Sequence, residues 1–321
     1  MSPYILRLGN YYVNLSIDNH CKVLLVSFFH PGVVWNFPAF KYTVENQTYK
    51  NFDTLIFLDG VSSSKIDLPW VWNILNNEFN LDIPTLRYIA IQYAAKYNYE
   101  YIVFLDADDR MSPSRIECVL DNFKKYDFVA NEIIPVDKNG NETGQPVLKD
   151  LFDSNIIKDY DVIFDRNLIG FSNSSIRVQV LKELKLPNII TAVDWYLFSI
   201  LLLEDRPGVF IHDTNTYYTQ HDTNTVGLTG ALTEDTVRFY LDVKIRHFYG
   251  LELYSRNKRH KYYGDISNYL DDLLHLKNLL ENDLKLQQYM ELIATEHTVF
   301  NGWWERLRVS KEIIHELVSK N

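Results

Sequence analysis

The chain has 321 residues, of which 46% are hydrophobic and 14% aromatic; this excludes a disordered protein and allows one large core or two smaller ones. Thirty-two basic residues against 42 acidic ones give a formal net charge of -10. That balance speaks against a general nucleic-acid binder and implies that a phosphorylated ligand would be held through a cation.

Residues 1–20 predict a short hairpin or arm. Residues 22–29 form the first buried strand by length and branching, closed by the breaker His30-Pro31-Gly32. A helix is expected over 33–46, with Pro38 in its first turn. Residues 53–58 give a second strand that ends on Asp59-Gly60. The cluster Ser62-Ser63-Ser64 is a loop, and 67–79 is expected to be a short helix carrying Trp70 and Trp72. A firmer helix covers 83–97, with Pro84 in its first turn and Leu86, Ile89, Ala90, Tyr93 and Ala94 at helical spacing.

The apolar run Tyr101-Ile102-Val103-Phe104-Leu105 then stops at Asp106, Asp108 and Asp109. A run of this kind is a strand buried on both faces. Ser112-Pro113 opens a helix, 127–136 is another strand, and Lys138-Asn139-Gly140-Asn141 is a turn. Beyond it lie the polar stretch Phe171-Ser172-Asn173-Ser174-Ser175, a helix-like 177–184, a helix over 192–204 with Asp194 at its start, and strands over 209–212 and 216–219. After about Thr233 the pattern is helical, with segments at 234–249, 265–282, 286–298 and 303–319.

Alternating strands and helices predict an α/β fold with a Rossmann-like, mainly parallel central sheet flanked by helices. A helical C-terminal subdomain follows, with the boundary placed between 1–230 and 231–321. Cys21 and Cys118 supply neither a disulfide framework nor a zinc motif. The N-terminus lacks the pattern of a signal peptide, and no stretch approaches a membrane span of about 18 apolar residues. The expected location is cytoplasmic, with a peripheral position at the inner face of a membrane as the alternative.

In open α/β sheets ligands bind at the carboxyl ends of strands, where Asp59 and the acids after Leu105 sit. Two carboxylates in Asp-x-Asp spacing repel unless a cation offsets them. A strand-end turn with solvated acids is the competing reading.

With those acids placed, the chain resembles the family 2 glycosyltransferases of the GT-A fold. The resemblance is carried, in order, by Val44–Asp53, Phe57-Leu58-Asp59-Gly60, Leu86-Arg87-Tyr88-Ile89-Ala90-Ile91, Phe104-Leu105-Asp106-Ala107-Asp108-Asp109, Val193-Asp194-Trp195-Tyr196-Leu197 and Tyr218-Thr219-Gln220-His221-Asp222-Thr223-Asn224. Together they cover roughly residues 22–227. The resemblance implies a glycosyltransferase of hexosyltransferase type acting on a UDP-sugar donor. It implies that Asp59 receives the nucleobase, that Arg87 lies near the donor, and that Asp106 and Asp108 bind ribose and a Mn2+ or Mg2+ ion, with His221 reaching the metal or diphosphate. Asp194 matches the general base of an inverting displacement, which removes the acceptor's proton.

The chain departs from the family pattern at three places: Val193 precedes Asp194 where an acid is usual, Leu86, Tyr88 and Ala90 surround Arg87, and Pro31-Gly32 follows the first strand. Asp109 falls outside the two-acid spacing and is expected to make a helix-start or loop contact. Asn173 and Trp195 are candidate acceptor contacts, although Trp195 fits a helix core at least as well. The acceptor is expected to be a glycan, or linked to a lipid or protein. Trp303-Trp304-Glu305-Arg306-Leu307-Arg308 opens a helix that would rest on a membrane interface, on the subdomain or on a second subunit of a homodimer. A nucleotidyltransferase and a silent sugar-nucleotide-binding scaffold are the competing functions.

Overall fold

A computed structural model describes residues 4–8, 11–15, 21–69, 71–221, 233–294 and 307–319. Strands β1 (Tyr4–Leu8) and β2 (Tyr11–Leu15) form the expected antiparallel hairpin. β3 (Val23–Phe29) leads through a 3-10 turn into α1 (Phe37–Glu45), whose first turn holds Pro38. β4 (Phe52–Leu58) and β5 (Asn73–Asn76) precede α2 (Ile83–Lys96). The Asp82 side chain caps α2 by accepting the Thr85 N–H at 2.9 Å, and Asn98 stops the chain just past it in a left-handed conformation (φ 59°). Then come β6 (Tyr101–Phe104), β7 (Arg110–Met111), α3 (Arg115–Asn122), β8 (Phe128–Val136), β9 (Ile156–Ile157), β10 (Ser174–Arg177), α4 (Val193–Leu203) and β11 (Gly208–Thr219). Helices α5 (Glu234–Lys258), α6 (Tyr263–Leu279), α7 (Asp283–Ala294) and α8 (Lys311–Ser319) complete the described chain.

Nine strands share one sheet in the order β5-β4-β3-β6-β10-β8-β11-β7, with β9 beside β11. β5, β4, β3 and β6 run parallel, and β8 runs parallel to β11. The fold is therefore the expected α/β type with a helical C-terminal region.

Three local expectations are corrected. The described residues between 67 and 79 are not a helix: Asn73–Asn76 pairs with the outer edge of β4, and Trp72 packs edge-on against Phe37 and Phe40, while Trp70 lies outside the described residues. The segment is short and interrupted by Pro69, so a costly helix nucleus loses to an open strand edge. Residues 177–184 hold only a 3-10 turn after β10, which lies antiparallel between β6 and β8. Ser174 and Ser175 are fully buried in this strand, so the polar stretch before 177 conceals a central strand. The strands expected at 209–212 and 216–219 are one strand, β11, with a register shift between Ile211 and Asn215. Trp303 to Arg306 lie outside the described residues.

The chain divides into two compact units, one of residues 1–157, 171–186 and 206–223, the other of 158–170, 187–205 and 224–321. In the first, the apolar faces of β3, β4 and β6 pack on α1 around Phe29, Phe40, Ile56 and Val103. In the second, α4 is buried along nearly its whole length, and Trp195 stacks on His247 with ring centroids 3.8 Å apart. No described helix is long and apolar enough to cross a membrane.

Two stability predictions follow from this packing. Gly208 pairs with Phe128 across the β11–β8 ladder, and a Cβ there would overlap the fully buried Phe128 ring. Gly208→Ala is expected to cost about 1–3 kcal/mol by overpacking, read as a lower denaturation midpoint. His247 is buried with neither ring nitrogen hydrogen-bonded, and burial, reinforced by Lys244, holds it well below the usual imidazole range. The unfolded chain binds a proton there near pH 6.5 and the folded chain does not, so this stability is present above about 6.5 and lost as pH falls, by up to about 1.4 kcal/mol per pH unit. His247→Phe keeps a ring on Trp195 and is expected to flatten the fall in stability measured by chemical denaturation below about pH 6.5.

Candidate functional site

The parallel register of β4, β3 and β6 brings three strand ends to one edge of the first unit. The Asp59 N–H extends the pairing past β4 by donating to the Phe29 carbonyl at 2.8 Å, and the Leu105 N–H does the same past β6 on Val26 at 3.1 Å. Asp59 and the acids after Leu105 thus leave the sheet at its carboxyl edge, with the end of β3 between them.

Each acid is held differently. Asp59 Oδ1 accepts the Asn77 side-chain amide at 2.7 Å, while Asn77 also bonds the Leu81 carbonyl and N–H, both at 2.8 Å. Asn77 was not legible as a site residue because its segment was expected to be helical. Asp106 forms an ion pair with Arg87 at 3.6 Å, and its N–H donates to the Ser172 hydroxyl at 3.2 Å. The Arg87 guanidinium also lies over the Phe171 ring, 4.8 Å from its centroid. Asp108 Oδ2 lies 2.8 Å from His221 Nε2, and Trp35 meets the His221 ring edge-on at 5.7 Å.

Asp109 was expected to make a helix-start or loop contact. It is fully buried, and its carboxylate accepts the Ser172 hydroxyl and the Thr219 N–H, the latter at 2.9 Å. Burial pushes its carboxyl well above the usual range, and Asp108 and Asp106 add to the effect. Arg115, also fully buried, donates to the Phe104 and Ser174 carbonyls at 2.9 and 3.2 Å. Burial lowers its guanidinium to about 9 against the pull of Asp109 and Asp106, which leaves it charged at neutral pH.

The fold therefore brings together Arg87 with Asp106 and Asp108 with His221, and places Asp59 on the same sheet edge. Asp194 belongs to the second unit, in the first turn of α4, where its Oδ1 accepts the Trp195 N–H at 2.8 Å. Of the candidate acceptor contacts, Trp195 is fully buried and donates to the Ile163 carbonyl at 2.8 Å. Asn173 is buried too and exchanges hydrogen bonds with the Asn131 backbone.

Among the described residues no three His, Cys, Asp or Glu side chains gather as a cluster able to hold a metal alone. A divalent cation here would need oxygens from its ligand. Asp106, Asp108 and His221 are ligand types that such an ion accepts, and Asp108 and His221 already stand within one ion's span. The mutual repulsion of the three acids is also what a cation would relieve.

Residues 42–184 match the family model for glycosyl transferase family 2. The crystal structure of S. aureus TarS 1–349 in complex with UDP-GlcNAc is similar, with a TM-score of 0.50 and 14% identity over 79% of this chain and 72% of that one. GalNAc-T7 with UDP, GalNAc and Mn2+ is similar with a TM-score of 0.52 and 12% identity over 83% of this chain and 60% of that one. No curated protein matches the chain. At such identities the likeness to these structures is one of fold, while the matched segment contains Asp59, Arg87, Asp106 and Asp108. That segment matches glycosyl transferase family 2, and the chain that carries it has the GT-A fold seen in these structures.

Proposed function

We propose that the chain is an inverting, metal-dependent glycosyltransferase that moves a sugar from a UDP-sugar to a hydroxyl of a glycan, lipid-linked or protein-linked acceptor. The observation that carries this reading is the Asp108–His221 pair at 2.8 Å, beside an Asp106 held by Arg87 and on the same sheet edge as Asp59. Similar structures contain UDP-GlcNAc in one case and UDP with Mn2+ in the other, which supports a UDP-sugar and a divalent ion here.

In this reading Asp59 accepts hydrogen bonds from the nucleobase, and Asn77 fixes the direction of its carboxylate. Asp106 and Arg87 border the ribose and diphosphate. Asp108 and His221 hold Mn2+ or Mg2+, which supplies charge neutralisation as the leaving nucleoside diphosphate gathers negative charge. Asp194 removes the proton of the acceptor hydroxyl as that oxygen bonds to the anomeric carbon. The bond from that carbon to the diphosphate breaks on the opposite side, which inverts the configuration. The Trp195 N–H on Asp194 Oδ1 fixes the direction of that side chain. The reaction is placed in the cytoplasm, supported by a composition with two distant cysteines.

Adding UDP with Mn2+ is expected to raise the melting temperature more than either alone, since binding stabilises by mass action. Asp108→Ala is expected to abolish both this shift and donor hydrolysis. Asp194→Asn is expected to keep the UDP–Mn2+ shift while sugar transfer falls by about 10²- to 10⁴-fold. Transfer at the parental rate by the Asp194→Asn protein would remove Asp194 from the role of base.

A further inference from the structure

Asp109 is the acid that the donor reading leaves without a task, yet it is the most enclosed of the three. Its carboxylate joins segments 63 and 110 residues away, through Ser172 and Thr219. Ser172 does two things with one hydroxyl: it donates to Asp109 and accepts the Asp106 N–H. The residue is itself fixed, because its carbonyl accepts the Thr216 hydroxyl at 3.0 Å and its neighbour Phe171 packs on Phe104. Thr219 ends β11 two residues before His221, which meets Asp108.

We propose that Ser172 and Asp109 form a positioning unit that sets the relative placement of Asp106, Asp108 and His221 at the donor's cation site. This inference rests on the donor reading given above. The loop after β6 runs into β7, whose Arg110 and Met111 pair with Tyr217 and Thr216 of β11. That short ladder stops before Thr219 and leaves Asp106 and Ser172 outside it. The buried carboxylate extends the tie, with its two oxygens directed at Ser172 and Thr219. The serine hydroxyl passes the tie on to the Asp106 backbone, donating to Asp109 and accepting the Asp106 N–H on a lone pair. Asp109 touches none of the reacting atoms in this arrangement, and it acts through the groups that do. Removing the Ser172 hydroxyl leaves a buried carboxylate oxygen and a backbone donor unpaired at once, with no change in formal charge.

The test is a Mn2+ titration in the presence of UDP, with protein stripped of metal by a chelator and free Mn2+ followed by electron paramagnetic resonance. UDP affinity without metal and thermal melting are recorded alongside. Ser172→Ala is expected to weaken Mn2+ binding by at least about tenfold, the scale of losing a group that orients a metal ligand. Asp109→Asn, which keeps the volume but presents a donor to one of two donors, is expected to do the same and serves should Ser172→Ala not fold. UDP affinity without metal is expected to stay within about threefold for both variants, because Asp59 is untouched. If the parent binds Mn2+ with UDP and the variants bind it equally while melting lower, the pair serves the fold alone and the proposal is overturned. If the parent itself binds no Mn2+, the donor-site reading falls and takes this inference with it.

Discussion

Three carboxylates within residues 106–109 repel one another, and the donor half of the molecule is arranged to tolerate that repulsion. Each acid has a partner of a different kind: Asp106 a guanidinium, Asp108 an imidazole, Asp109 a hydroxyl and a backbone N–H. Arg115, buried below them, adds a positive charge and hydrogen-bonds the carbonyl of Phe104 at the strand end from which the acids emerge. A cluster so partnered is held in one geometry, with Asp108 and His221 side by side at its open end. That is the condition in which a divalent ion is bound strongly only when a ligand supplies the remaining oxygens.

The sheet makes this arrangement available by combining two kinds of pairing. The parallel run β5-β4-β3-β6 aligns strand ends, which places Asp59 and the acid loop on one edge. Antiparallel β10 then separates β6 from β8 and sends Phe171 and Ser172, just before it, back to that same edge. The interruption thus delivers the residues that brace the loop. β11, parallel to β8, brings Thr219 and His221 to the edge from the far side of the insertion.

How much of this was legible in the sequence depended on how local the signal is. β3, β4, β6 and α2 were readable because their apolar runs or helical spacing are complete within the segment. β5 was not, since an edge strand with one covered face and a nearby proline carries too weak a pattern, and Asn77 was lost with it. β10 was hidden by serines whose polarity is absorbed by burial between two strands. Asp59, Arg87, Asp106, Asp108 and His221 could be named from motifs, and the fold brings two pairs of them into contact. The part played by Asp109 could not be read, because nothing near it in sequence announces Ser172 or Thr219.

The two compact units are interleaved along the chain, which passes between them at residues 157, 170, 186, 205 and 223. Residues 158–170 and 187–205 therefore depend on helices made much later: the Lys244 ammonium holds the Asp165 carbonyl, and the His247 ring lies on Trp195. A ribosome finishing residue 223 has made all the segments of the first unit but not the surfaces these two segments pack on. Synthesis must run past α5 before the turn that carries Asp194 has its support, so the donor half has the means to order first and the Asp194 segment last. The same interleaving means that a shortened chain ending near residue 230, or a chimera joined there, would carry Asp194 on an unsupported helix.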